Sequence, residues 1–373
     1  MTEKFTDYFE ETVGKFVDGK INCEGRLAVI GAGLPPELIY CFDSSPLWIL
    51  SGTPAEAREC DTVPKDADDL SRSVFGMLKS GRCEPEKFRA AVILISDDNS
   101  RKLACELKEK CKVITVDMPA MYQAYDMNGY WQKSLSFMYE ELKKVCGIKR
   151  GSVKGAVSFM NSVRKQVKKL VSLSRKHPDI IGFETVMTVV NSLYCTDNKE
   201  EWLERLTALN EYLAASEEKK IKRNIPGIIL AGSPVYYPNH KILRLLKETD
   251  IRLLSCIDPV MQPYFDDEMK TRKTDYAEFY SVIRNSIGNI VLSGYLETDY
   301  AITKLKEEIE KTKPDGVIFH VIRGRKTEDA DSVLFEKLCE NKGISYFKIE
   351  TDYQENDIEQ LRLRIEAFRE ILV

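Results

Sequence analysis

The chain has 373 residues, of which 43% are hydrophobic and 31% charged, the balance of a soluble globular protein. Fifty-five Lys and Arg against 59 Asp and Glu leave a formal net charge of -4, which offers no basic excess for nucleic acid. No apolar run approaches the roughly 18 residues that span a bilayer, and the acidic N-terminus lacks the pattern of a secretory signal. We therefore expect a cytoplasmic protein that binds neither nucleic acid nor membrane.

Residues 1–124 have the pattern of an α/β domain. After an amphipathic helix come the strand, tight turn and helix of RLAVIGAGLPPELIYCF, then the strand candidates PLWIL, AAVILIS and KVITVD. Gly31 and Gly33 resemble a dinucleotide-binding loop, but Pro36 stands at the place of its third glycine, so the pattern favours a plain strand-to-helix turn. Four apolar, β-rich runs separated by helices are typical of a parallel sheet.

Residues 125–222 have helical periodicity almost throughout. Trp202, Leu206, Leu209 and Leu213, for example, recur at the spacing of one helix face. We predict a helical insert that packs on the sheets.

Residues 223–373 repeat the layout of the first segment. The strand-turn-helix unit GIILAGSPVYYPNHKILRLLKE is followed by the strand candidates IRLLSCI, GVIFHVI and ISYFKIE and by a final amphipathic helix. Asn356, three residues before Glu359, predicts a capping box at the start of that helix. The predicted fold class is therefore α/β, with two Rossmann-like or flavodoxin-like domains, each built on a parallel four-stranded sheet, plus the helical insert.

Standard catalytic motifs are missing from the sequence. It has no G-x-x-x-x-G-K-[ST], H-E-x-x-H or G-x-S-x-G pattern, and its three histidines fall in different segments, which argues against a histidine metal site. The ten cysteines form no C-x-x-C pair. Reduced, buried thiols are the favoured interpretation, and a metal or cluster site built from distant cysteines is the alternative.

The loop GSPVYYPNHK is a candidate substrate site. It follows a strand and brings hydroxyl groups and one imidazole to the carboxyl edge of the predicted sheet, where ligands bind in open α/β folds. Ser233 and His240 are the candidate catalytic residues, and Tyr236 and Tyr237 are candidate substrate contacts.

Two acidic turns follow the first-half strands. Asp68 and Asp69 precede one helix, and Asp97, Asp98 and Asn99 precede another. Carboxylates and amides at these positions cap helices and favour the helix dipole, which explains them without a catalytic role.

Taken together, the segments resemble a known family in their order along the chain. LPPELIYCFDSSPLWIL, DADDLSRSVFGML, DDNSRKLACEL, GIILAGSPVYYPNHKILRLLKE, DGVIFHVIRG and the ending IETDYQENDIEQLRLRIEAFREIL are similar to the subunits of 2-hydroxyacyl-CoA dehydratases (2-hydroxyglutaryl-CoA dehydratase D-component-like) and the related benzoyl-CoA reductases. The resemblance covers nearly the whole chain, and its ending is the most specific part.

The resemblance implies radical chemistry of anaerobic metabolism. Such proteins work as heterodimers of related subunits, bind an acyl-CoA substrate and carry a [4Fe-4S] cluster on cysteine thiolates. An ATP-dependent activator protein supplies one electron, and (R)-2-hydroxyacyl-CoA loses water to give enoyl-CoA. Glu37 matches an acidic residue of the family; it is a candidate catalytic base, or a helix-start carboxylate that only stabilises the fold.

The chain departs from the family at the cluster. The three cysteine positions align with Asp68, Asp98 and Arg325. Arg cannot ligate metal while protonated, so we expect no metal and no cluster in this chain, and a salt bridge from Arg325 to both carboxylates instead. Alternatively, Arg323, Arg325 and Lys326 bind the phosphates of coenzyme A.

Three functions stay open at this point. The leading hypothesis is a hydro-lyase subunit of a 2-hydroxyacyl-CoA dehydratase-type complex, with a paralogous cysteine-bearing subunit as its partner. The second is a cluster-free structural or regulatory subunit that catalyses nothing. The third is a benzoyl-CoA reductase-like subunit, which differs in substrate rather than in architecture.

Overall fold

The structure is a computed structural model, and it describes most of the chain. The described residues are 3–19, 21–42, 44–118, 127–147, 152–217, 225–261, 264, 267–288 and 299–373. The predicted boundaries between the three segments, near residues 124 and 222, lie outside these ranges, so the division into domains stays a prediction.

The first half forms a parallel four-stranded sheet in the order β2-β1-β3-β4. Its strands are β1 (Leu27–Ile30), β2 (Pro46–Ile49), β3 (Ala90–Ile95) and β4 (Val113–Asp117). Its helices are α1 (Glu3–Asp18), α2 (Pro36–Tyr40), α3 (Pro54–Glu59), α4 (Asp69–Lys79) and α5 (Asp98–Leu107). Every residue of β1, β2 and β3 is buried, as expected for a sheet covered on both faces.

The second half forms a parallel sheet in the matching order β6-β5-β7-β8. Its strands are β5 (Gly227–Gly232), β6 (Arg252–Ile257), β7 (Gly316–Ile322) and β8 (Ser345–Thr351). The helices that follow the middle segment are α10 (Lys241–Glu248), α11 (Asp275–Gly288), α12 (Asp299–Thr312), α13 (Lys326–Lys342) and α14 (Ile358–Leu372). The predicted α/β fold with two parallel four-stranded sheets is confirmed.

The middle segment is helical, as predicted. It contains α6 (Met127–Cys146), α7 (Ser152–Lys176), α8 (Phe183–Leu193) and α9 (Lys199–Ala215). The predicted apolar face of α9 is fully buried, and it packs against α7, α8 and α1. One continuous hydrophobic cluster runs through both halves and this segment.

Two local predictions have different outcomes. The GAGLPP turn is a plain strand-to-helix turn: Gly31 has φ +94° and Pro36 is in the first turn of α2, where its missing N–H needs no partner. The predicted capping box at Asn356 is wrong. Helix α14 has Asp357 as its N-cap residue, and that residue makes no side-chain capping bond.

The carboxyl ends of the two sheets meet at one seam. The backbone N–H of Tyr353, just after β8, donates to Asp69 Oδ2 at 2.9 Å, and its hydroxyl lies 2.9 Å from Ser51 Oγ after β2. Gly324, after β7, packs so closely that an added Cβ would lie 3.3 Å from the backbone nitrogen of Asp68. Its φ of +92° also favours glycine. The loops after the strands of one sheet therefore face those of the other.

Candidate functional site

A narrow cleft of about 100 Å³ lies at this seam. The residues that line it come from the loops after the strands and from the starts of the following helices. They are Ile30, Gly31, Ala32, Ile49, Leu50, Leu70, Ser71, Val74, Phe75, Leu94, Ser96, Asp97, Asn99, Ser100, Leu103, Pro234, Pro259, Val260 and Arg325. The lining is mainly apolar, with one polar end, and it occupies the edge where open parallel sheets bind ligands.

Arg325 provides the positive charge at the polar end of the cleft. This residue is the N-cap of α13. Its Nε donates to Glu328 Oε1 at 2.5 Å, and its Nη1 lies 3.6 Å from Asp68 Oδ1. Burial lowers the pKa of Arg325, but the carboxylates of Glu328 and Asp68 outweigh it and raise the pKa above its usual value. The guanidinium therefore stays charged.

Asp68 connects the Arg325 guanidinium to the first turns of α4 and α5. It caps α4 by accepting from the backbone N–H of Ser71 at 2.9 Å and from the Ser71 hydroxyl at 2.8 Å. Asn99, in the first turn of α5, donates its side-chain amide to Asp68 Oδ2 at 3.3 Å. The cap predicted from the acidic turn is present, and the three partners of Asp68, which are Ser71, Asn99 and Arg325, line the cleft.

Asp98 was predicted to pair with Arg325, but it is not part of this network. Its side chain is fully exposed and pairs with Arg101 at 2.9 Å on the same helix. The expected salt bridge of Arg325 to both carboxylates is therefore confirmed for Asp68 and wrong for Asp98. The physical reason is helix geometry, since one residue turns the side chain by about 100°. Asn99, rather than Asp98, faces the cleft.

These residues do not fit a thiolate-held cluster. Among the described residues that line the cleft, none is a cysteine. The positions at which the resemblance places sulfur donors carry the carboxylates of Asp68 and Asp98 and the guanidinium of Arg325. A charged guanidinium cannot ligate iron. Across the described part of the chain, no group of three or more His, Cys, Asp or Glu side chains is arranged to hold a metal ion.

The rest of the basic loop is turned outward. Arg323 is exposed and pairs with Glu350 at 2.9 Å and with Asp352 at 2.7 Å. Lys326, the first residue of α13, is exposed as well. Neither lines the described cleft, so the structure brings only Arg325 of this predicted trio to it.

Ser233 and Tyr236 are held inside the fold. The Ser233 hydroxyl accepts from the backbone N–H of Ile322 at 2.9 Å and so ties the end of β5 to the end of β7. Tyr236 is 2% exposed and packs edge-on against Phe16 and Tyr194. From the start of this loop, Pro234 is the residue that reaches the cleft.

Tyr237 and His240 form a local pair. Their ring centroids are 3.9 Å apart, and the Tyr237 hydroxyl lies 2.9 Å from Thr188 Oγ1. Burial lowers the pKa of His240 to about 4, so its imidazole is neutral near pH 7. Its Nε2 is buried and has no hydrogen-bond partner among the described residues.

Glu37 lies in a buried ion pair. It is 2% exposed in the first turn of α2, and Arg164 of α7 donates to its Oε1 at 2.5 Å. Arg164 is not recognisable as a site residue from the local sequence, because its partner Glu37 lies 127 residues away in the chain. An arginine in the middle of an apolar helix face, between Val163 and Val167, was the available signal.

A second cavity, of about 550 Å³, opens at the opposite edge of the first sheet. Gly25, Pro46 and Arg89, which precede or begin β1, β2 and β3, line it together with the first turns of α7 and α9. It is more open and more polar than the cleft. We take the cleft as the candidate site, because parallel sheets place ligands at the carboxyl ends of their strands.

The fold and the cleft define a class of α/β protein in which two parallel sheets present their carboxyl edges to a shared site. The chain belongs to the family described as 2-hydroxyglutaryl-CoA dehydratase, D-component, whose model matches residues 32–372. Among the helices that the structure describes, none has the length and apolarity to cross a membrane.

Two relatives support this membership. The chain is 27% identical to the (R)-phenyllactyl-CoA dehydratase beta subunit of Clostridium sporogenes over 271 residues, 71% of this chain and 69% of the relative. It is 20% identical over 320 residues to YjiM of Escherichia coli (strain K12), which is classed provisionally as a dehydratase subunit. That match covers 83% of this chain and 81% of the relative.

Proposed function

We propose that the chain is a hydro-lyase subunit of a 2-hydroxyacyl-CoA dehydratase-type complex, acting in the cytoplasm. The reaction removes water from (R)-2-hydroxyacyl-CoA and leaves enoyl-CoA. Family membership over residues 32–372 and the likeness to an (R)-phenyllactyl-CoA dehydratase beta subunit support the proposal. The structural observation that carries it is the apolar cleft at the seam of the two sheets.

In this proposal, the residues of this chain form one wall of the substrate site and exclude water from it. Leu50, Phe75 and Val260 belong to the apolar part of the cleft, which keeps water from a reactive acyl group. Arg325 holds a fixed positive charge at the polar end, where it favours a developing negative charge on a substrate oxygen. Glu37, Ser233 and His240 as catalytic groups, and Tyr236, Tyr237, Arg323 and Lys326 as substrate contacts, stay predictions.

In this proposal, electron storage belongs to the partner. A paralogous subunit with cysteines at the three family positions would hold the [4Fe-4S] cluster, and an ATP-dependent activator would deliver the electron. The support is the donor set in this chain. Asp68 and Arg325 stand at two of the positions where the resemblance places cluster cysteines, and they pair with each other. The working unit would then be a heterodimer in which this chain completes the site.

The ion pair between Arg325 and Asp68 also favours a second function, that of a subunit without catalytic activity. If the partner alone performs the chemistry, this chain is a cluster-free structural or regulatory subunit. A benzoyl-CoA reductase-like subunit would share the architecture and differ in substrate.

Anaerobic reconstitution tests the proposal. The chain, a cysteine-bearing paralogue, the activator, ATP and a reductant are combined with (R)-phenyllactyl-CoA as probe, and enoyl-CoA is followed by chromatography. We expect product only when both subunits are present, and a loss of at least tenfold with Arg325→Gln. Arg101→Gln, on the exposed pair, serves as the matched control and keeps full activity.

Two outcomes decide between the functions. Full activity of the paralogue without this chain refutes the dehydratase-subunit proposal in favour of a structural role. Iron and sulfide in the isolated chain that persist in Asp68→Ala and Arg325→Ala variants would show that other residues of this chain bind a cluster.

A further inference from the structure

Two cysteines that lie far apart in the sequence are in direct contact. Cys23 Sγ and Cys83 Sγ are 3.4 Å apart. Cys23 lies between α1 and β1, and Cys83 lies between α4 and β3. The two segments run side by side, since the backbone N–H of Ile21 donates to the carbonyl of Arg82 at 2.9 Å. The contact is therefore fixed by the backbone around it.

The two thiols have different acidities. The hydrogen bond with Cys83 holds the pKa of Cys23 below its usual value, and the backbone of Glu84 and the charge of Arg26 lower it further. The interaction with Cys23 and burial raise the pKa of Cys83. Cys23 is thus the better nucleophile, and Cys83 is a neutral thiol within reach of it.

The pair lies just beneath the surface. Both side chains are buried, but the neighbours Asn22 and Glu24 on either side of Cys23 are exposed. Opening of this short connection, without unfolding of the sheet, would admit a small oxidant. Sequestration also keeps larger thiols away from the pair.

We propose that Cys23 and Cys83 are a redox modification site, at which a peroxide converts the two thiols reversibly into a disulfide. The Cys23 thiolate attacks one peroxide oxygen, the O–O bond breaks, and Cys23 becomes a sulfenic acid as hydroxide leaves. The Cys83 sulfur then attacks the Cys23 sulfur, the S–O bond breaks, and a second hydroxide leaves. With the thiol protons, two waters form, and the two thiols have passed two electrons to the peroxide.

The disulfide would close a covalent loop that contains cleft residues from the first half of the chain. The segment between the two cysteines contains β1, β2, α3 and α4, and with them Gly31, Leu50, Ser71 and Phe75 of the cleft wall. A disulfide between the two ends of this segment lowers the conformational entropy of the unfolded chain. Oxidation would therefore stabilise the part of the protein that carries the Asp68 cap.

Peroxide treatment of the reduced full chain tests the inference. Thiol titration after unfolding should fall from ten cysteines to eight, and the intact mass should fall by two hydrogen atoms. Peptide mapping should find Cys23 joined to Cys83, and dithiothreitol should restore both thiols. The oxidised chain should melt about 5 °C above the reduced chain.

Variants provide the controls. Cys23→Ser and Cys83→Ser should each abolish the linked peptide and the rise in Tm. Cys105→Ser, which removes an exposed cysteine, should leave both unchanged. If the wild-type chain keeps ten titratable thiols after peroxide, or if its linked peptides join other cysteines, the inference is overturned, and this readout does not depend on whether any variant folds.

Discussion

Arg325 Nη1 lies 3.6 Å from Asp68 Oδ1, and this contact joins the start of α13 in one half of the chain to the start of α4 in the other. Both side chains are largely buried. A buried charge left without its partner is destabilising, whereas an intact pair contributes modestly. The contact therefore ties the geometry of the cleft to the stability of the fold.

Arg325→Gln is expected to lower the free energy of unfolding by about 3 kcal/mol, because Asp68 and Glu328 lose their shared cation. Urea denaturation measures the loss. Arg325→Gln combined with Asp68→Asn should cost less than the sum of the two single changes. Arg101→Gln should have no measurable effect, and additive costs of the double variant would contradict the coupling.

Glu37→Gln is expected to destabilise the chain by about 3 kcal/mol, since the buried Arg164 would lose the carboxylate of Glu37. Unfolding measurements and the dehydratase assay should be made on the same preparation. A structural Glu37 predicts a loss of stability that Arg164→Met largely relieves in the double variant. Full stability with lost turnover would instead support the role of Glu37 as catalytic base.

His240 should make stability fall with acid. Its pKa drops from the usual 6.5 in the unfolded chain to about 4 in the folded chain, so the unfolded state binds a proton first as the pH falls. The contribution is fully present above pH 6.5 and is lost towards pH 4, on the order of 2–3 kcal/mol. Urea midpoints of wild type and His240→Gln should converge from pH 7 to pH 4, and parallel curves would contradict this assignment.

The position of Asn99 yields a prediction about a cluster engineered into the cleft. The variant with Asp68→Cys, Asn99→Cys and Arg325→Cys replaces Asp68 and two side chains that contact it with thiols, and it should take up iron and sulfide in anaerobic reconstitution. The matched variant with Asp98→Cys in place of Asn99→Cys should take up much less, because Asp98 is fully exposed. Metal analysis and visible absorbance measure both, and equal loading would contradict the geometry.

The sequence was sufficient to predict the strands but not the side-chain network. Apolar runs such as 316–322 are bounded by polar and glycine residues, so their period and length identify them as buried strands. The pair of Glu37 with Arg164, by contrast, joins residues 127 positions apart, and no local pattern encodes such a contact. The choice between Asp98 and Asn99 depends on the rotation of α5, which a run of acidic residues leaves open.

The hydrophobic core described above has a thermodynamic consequence. Buried side chains of both sheets and of the middle helices belong to one cluster. Unfolding of either half would therefore expose apolar surface of the other half to water. Calorimetry should accordingly record one heat-absorption peak for the intact chain, and a fragment ending before β5 should behave as a collapsed, poorly ordered polymer rather than as an independent folding unit.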